Sequence, residues 1–151
     1  MPADASLFET TRCLCLAARR AARAITREFD QALRPCGLRA TQFTLLAALR
    51  LAGPQAIGAL AELLSSDRTT LTRNLAVLER RGWVTFKDDS DDARIRIATV
   101  TTRGAHALTA ALPAWRATQQ RLTAEIGTQT AASLRKLAGG PCVLPCPPAP
   151  T

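Results

Sequence analysis

Tyrosine is absent from this chain, and histidine occurs once, at His106. Aromatic residues make up only 4% of it, so the core must be built from leucine, alanine, valine and isoleucine. His106 lies in a helical pattern and reads as a surface residue rather than a base. No paired carboxylates, phosphate-binding loop or nucleophile motif accompanies it, so no enzyme class has its full set of residues here. No apolar run at the N-terminus resembles a signal peptide, and none is long enough to span a bilayer. These absences predict a cytoplasmic chain, not bound to membrane, with its five cysteines reduced.

What is present is enough for one domain with a real core: 151 residues, of which 47% are hydrophobic. The formal net charge is +8, which favours a polyanionic partner but bears on encounter and solubility rather than fold. The charge is unevenly placed. Arg12, Arg19, Arg20, Arg23, Arg27 and Arg34 crowd the first helical segment. Between Ala56 and Val100 the arginines and Lys87 are balanced by Glu62, Asp67, Glu79, Asp88, Asp89, Asp91 and Asp92. Nucleic-acid binding by that segment therefore has to come from arginines facing one way and carboxylates another.

The stretch Ser65 to Gly82 reads as one helix. Ser66 or Asp67 caps its first amides. Leu71, Leu75 and Leu78 recur at i, i+4 and i+7 as a buried stripe. Gly82 stands where a left-handed residue ends a helix. Thr69, Arg73, Ala76 and Arg80 point away from the stripe, flanked by Thr70 and Thr72. Such a face suits a major groove: arginine bonds both guanine acceptors, threonine offers a hydroxyl or a methyl, and alanine permits close approach. The plain alternative is an ordinary solvated helix face.

The flanking segments give that helix a setting. Leu7 to about Arg34 reads as a long helix, with Leu14, Ala18, Ala21, Ile25, Phe29 and Leu33 at helical spacing. Its length suggests a partner helix. Pro35-Cys36-Gly37 breaks it. A second helix spans Leu38 to Leu51, with Thr41 as its expected cap, and Gly53-Pro54 ends it. A short third helix, Ala56 to Leu64, leads through Ser65-Ser66-Asp67 into the reader: a helix-turn-helix. Trp83 to Lys87 and Arg94 to Val100 alternate as strands around an aspartate-rich loop, which makes a hairpin, or wing. Arg94, near its tip, is the residue to send into a minor groove; the alternative is a loop arginine paired to Asp91 or Asp92. Thr101 caps a helix of about Thr102 to Leu122, where Pro113 predicts a kink. Gly127 to Leu137 forms a last helix.

This order of elements resembles the MarR (multiple-antibiotic-resistance regulator) family of bacterial repressors. The residues that carry the resemblance are Gly37-Leu38-Arg39-Ala40-Thr41-Gln42-Phe43-Thr44-Leu45-Leu46, Leu71-Thr72-Arg73 and Leu78-Glu79-Arg80-Arg81-Gly82-Trp83-Val84. Asp92-Ala93-Arg94 and Val100-Thr101-Thr102-Arg103-Gly104 extend it. Ala93 replaces the first arginine of the family's usual Asp-Arg-Arg wing motif, while Arg94 is kept. The fold class expected is mainly α with a small β-wing: a winged helix-turn-helix with N- and C-terminal dimerisation helices. The divisions are 1–37 (N-terminal dimerisation helix), 38–104 (DNA-binding domain), 105–138 (C-terminal dimerisation helices) and 139–151 (a disordered Pro-rich tail).

The resemblance implies a homodimer that sets two reader helices on a near-palindromic site in double-stranded DNA. The candidate contacts are Arg68, Thr69, Thr70, Thr72, Arg73 and Arg80 on the helix, with Arg94 and Arg96 on the wing. It also implies release by a small aromatic or phenolic effector or by cysteine oxidation. The segment Arg12-Cys13-Leu14-Cys15-Leu16-Ala17 resembles the Leu-Cys-Phe-Ala segment of organic-hydroperoxide repressors in the family, which puts Cys15 at their reactive position. Those repressors set tyrosines around that cysteine, and this chain has none. A preassembled metal site is not expected: Cys13 and Cys15 sit ~200° apart on one helix, Cys36 lies ~31 Å further along, and Cys142 and Cys146 belong to the tail. No cofactor is expected. The rival reading is a winged-helix module that binds protein without specific DNA binding, supported by the neutral charge of the reading segment.

Overall fold

The computed structural model describes residues 5–139. The expected disordered tail, with Cys142 and Cys146, lies outside the described residues apart from Gly139.

Helix α2 (Ala40–Ala52) is the centre of the fold, because Phe43, Leu45, Leu46, Ala48 and Leu49 bury a broad face of it. Helix α1 (Leu14–Leu33) reaches it through the buried Leu33, and α5 (Thr102–Ile126) packs on both. Trp115 of α5 stacks between Phe29 of α1 and Phe43 of α2, with ring centroids 6.2 and 5.7 Å away. Helix α3 (Ile57–Leu63) and helix α4 (Arg68–Arg80) complete the helix-turn-helix. Leu71, Leu75 and Leu78 are the buried stripe of α4, each contributing about 1.5–3 kcal/mol of burial. Strands β2 (Val84–Asp88) and β3 (Arg96–Val100) pair antiparallel, Val84 opposite Val100 and Asp88 opposite Arg96. Helix α6 (Thr128–Leu137) follows α5.

Several expectations need correction. The first helix does not run unbroken from Leu7: Ala5–Arg12 is a 3-10 helix, and Cys13 is extended at φ −60° and ψ 117°. Thr10 explains part of the break, since its hydroxyl donates to the Leu7 carbonyl at 2.7 Å and competes with regular helix. Cys13 therefore precedes α1 rather than sharing it with Cys15. Thr41 does not cap α2. Asp30, ten residues upstream in α1, accepts the Ala40 N–H at 2.7 Å, and Gln42 accepts the Arg39 N–H at 3.1 Å. Thr41 instead bonds Asn74 of α4 at 3.4 Å.

The sheet has a third strand that periodicity does not reveal. Gln55–Ala56 (β1) pairs antiparallel with Ala98 and Ile97, giving the order β1-β3-β2. Two residues are too few to carry an alternating pattern. Helix α5 continues through Pro113 as far as Ile126, beyond the expected end at Leu122.

Among the described residues the outer half of α1 is uncovered: every residue from Leu14 to Ala24 is exposed. Leu14 is 85% exposed and Leu137, in α6, 82%. Among the described residues no helix is long and apolar enough to cross a membrane.

Candidate nucleic-acid interface

The reader helix is set by its ends. Asp67 at its N-cap accepts the Thr70 N–H at 2.8 Å. Its carboxyl is held below the ordinary value, first by the Thr70 side-chain hydrogen bond, then by backbone N–H groups and the Arg73 charge. At the far end Gly82 adopts φ 70° and the Trp83 N–H reaches back to the Leu78 carbonyl at 2.9 Å. That left-handed step releases the chain into β2 at a fixed angle.

Between those ends Arg68, Thr69, Thr70, Thr72, Arg73, Ala76 and Arg80 are all exposed. Thr72 donates its hydroxyl to the Arg68 carbonyl at 2.7 Å, which leaves its methyl and its oxygen lone pairs for a ligand. Asn74, half-buried beside them, donates to the Thr70 carbonyl at 3.0 Å.

The wing tip is tied by aspartates acting on backbone. Asp89 accepts the N–H groups of Asp91 and Asp92 at 2.8 and 3.3 Å, and Asp92 accepts the Arg94 N–H at 2.9 Å. Arg94 is exposed, and its guanidinium forms no ion pair among the described residues. Arg96 has a different setting. Its guanidinium lies 4.2 Å from the Phe86 ring centroid and 3.5 Å from Glu79 of α4, so it braces the wing against the reader helix. The wing is thus tied to the reader helix, and three of the balancing carboxylates, Asp67, Asp89 and Asp92, are turned onto backbone amides.

Periodicity misses two further residues. Arg81 donates to the Gly37 carbonyl and lies 5.0 Å from the Trp83 ring centroid, tying the α1–α2 corner to the reader. Asp30 caps α2 from another helix. Neither interaction leaves a local signal, because each joins two different elements and spans more than a helical turn. Cys15 is exposed on the outer half of α1, with Cys13 exposed beside it. No cluster of three or more histidine, cysteine, aspartate or glutamate side chains fit for a metal occurs among the described residues.

The family model described as MarR family matches residues 38–95, from just before α2 to the wing tip. The Mycobacterium tuberculosis transcriptional regulator MosR, solved in complex with DNA, is 39% identical. That match covers 84% of this chain and 96% of MosR, with a TM-score of 0.72. This chain belongs to the MarR family. A mutant of Escherichia coli MarR complexed with operator DNA is 25% identical and superposes with a TM-score of 0.75, over 91% of this chain and 97% of that one. An uncharacterised HTH-type transcriptional regulator of Bacillus subtilis, YwoH, is 31% identical over 80 residues. That match spans 53% of this chain and 58% of YwoH. The mainly helical chain with a three-stranded antiparallel sheet is the winged-helix architecture of MarR-family regulators.

Proposed function

We propose that this MarR-family chain is a sequence-specific DNA-binding transcriptional repressor, acting in the cytoplasm as a homodimer on an inverted repeat. One observation carries the reading: the threonines and arginines of α4 form a single exposed face, beside a wing whose tip arginine is unpaired among the described residues. A reader needs that separation of charge when its segment is neutral in sum. The DNA complexes of MosR and of Escherichia coli MarR support it by similarity. The uncovered half of α1 supports the dimer, which sets two α4 helices about 34 Å apart in successive major grooves.

Arg73 is the base-reading residue. Arg73→Ala is expected to weaken binding to the preferred duplex by roughly 1–3 kcal/mol and to flatten the preference at one base pair. Competition binding against duplexes altered one position at a time measures both. An equal weakening on every duplex would make Arg73 a phosphate-binding residue. Steep weakening with salt is expected of a reader, whereas a winged-helix module that binds protein would show little duplex affinity at any salt.

Release follows oxidation of Cys15 or binding of a small aromatic or phenolic effector. The exposure of the Cys15 thiol, on the outer half of α1, supports the first route. On that route peroxide dissociates the wild type from DNA and leaves Cys15→Ser bound. Equal release of both proteins removes Cys15 from the mechanism.

A further inference from the structure

Beside the reader face lies a cleft of about 690 Å³ between the α1–α2 corner and α4. Arg34 and Arg39 line one wall, Arg73 and Arg81 the other. Asp30 is its one carboxylate, and Oδ1 of Asp30 is taken by the Ala40 N–H. The cleft therefore holds four guanidinium groups against one engaged carboxylate. The N-terminal end of the 13-residue α2 adds positive potential from the same side.

The four arginines are not equivalent. Arg81 is committed to the Gly37 carbonyl and the Trp83 ring. Arg34 and Arg39 are exposed and form no ion pair among the described residues. No helical periodicity marks them, because they flank the break between two helices. Arg73 stands at the junction, lining the cleft and belonging to the α4 face as well. The cleft is thus continuous with the surface assigned to base reading.

We infer that this cleft seats the DNA backbone, with Arg34 and Arg39 binding phosphates and extending the footprint from the reader helix to the α1–α2 corner. The inference rests on the DNA-binding reading above. Guanidinium groups suit the site because their planar fork pairs with two phosphate oxygens at once. Pairing of this kind positions the protein and carries no base information.

The test is the salt dependence of duplex binding by the full chain and by the double variant Arg34→Gln/Arg39→Gln. Removing one arginine–phosphate pair lowers the slope of log affinity against log salt by about 0.9, so the double variant should show a slope lower by about 1.8 for each protomer bound. Affinity should fall by the same factor on preferred and scrambled duplexes. The pair Arg34→Lys/Arg39→Lys, which keeps the charge, should recover most of that slope, and thermal melts of both variants check the fold. A slope unchanged by glutamine, or not recovered by lysine in a folded protein, overturns the inference. So does a small-anion result, in which millimolar inorganic phosphate raises the melting temperature of the wild type but not of the glutamine variant, while the salt slopes coincide. If the wild type itself shows no steep salt dependence, the DNA-binding reading fails as a whole. A normal wild type with an unaltered double variant sinks only the cleft.

Discussion

Gly104→Ala is expected to destabilise the protein by roughly 3 kcal/mol, the upper end of what overpacking usually costs. On helix propensity alone the opposite sign follows, since alanine is favoured over glycine inside a helix by about 1 kcal/mol. Position decides. A Cβ on Gly104 would overlap the Trp83 carbonyl oxygen and stand 2.9 Å from Cγ2 of Val100. The carbonyl cannot retreat, because it accepts the Thr101 N–H at 3.0 Å. Thr101 adds two more ties: its hydroxyl donates to the Gly82 carbonyl at 2.7 Å and accepts the Gly104 N–H at 3.0 Å. The end of the reader helix, the base of the wing and the start of α5 therefore meet at one joint, and a methyl group pries it apart. Urea unfolding measures the effect as a lower midpoint at an unchanged slope. Gly58→Ala in α3 is the matched control, because nothing lies within 4 Å of its added Cβ; it should stabilise slightly. Equal stability of Gly104→Ala and the wild type would mean that the joint is looser than its hydrogen bonds imply.

Leu14→Glu combined with Leu16→Glu is expected to turn the proposed homodimer into monomers and to weaken binding to a full inverted repeat about 100-fold or more. Joining two half-site binders multiplies affinity by that order without any new interaction with DNA. The change should not harm the fold of one chain. Leu14 is 85% and Leu16 46% exposed there, and glutamate in a first helical turn is favoured by the helix dipole. What changes is the surface offered to a partner. The outer half of α1 leaves Leu14 and Leu16 exposed, and α6 leaves Leu134 and Leu137 exposed. The uncovered stretch 14–24 is shorter than the ~12–15 residues below which an isolated helix is marginal in water. Sedimentation equilibrium reads the mass, and binding to single and paired half-sites reads the affinity. A wild type that is already monomeric at micromolar concentration would contradict the dimer, as would a double variant that binds the paired site undiminished.

Much of this protein is legible in its sequence. The stripe Leu71, Leu75 and Leu78, the Asp67 cap and the Gly82 stop define α4 to within a residue, since all three signals act over one or two helical turns. The wing strands and the Thr101 cap are legible for the same reason. The exposed threonine and arginine face of α4 follows from that register, because fixing the buried side of a helix fixes the other side.

Pairings between distant segments are set by tertiary structure alone. Asp30 caps α2 from within the preceding helix, Arg81 reaches back to Gly37, Arg96 is held by Glu79 and Phe86, and Gln55–Ala56 becomes a strand only because β3 lies beside it. The cleft of Arg34, Arg39, Arg73 and Arg81 belongs to the same class. Periodicity reports which way a side chain points from its own backbone. Which other backbone it meets is decided when the apolar faces close on one another and bring together polar groups that no local pattern had paired.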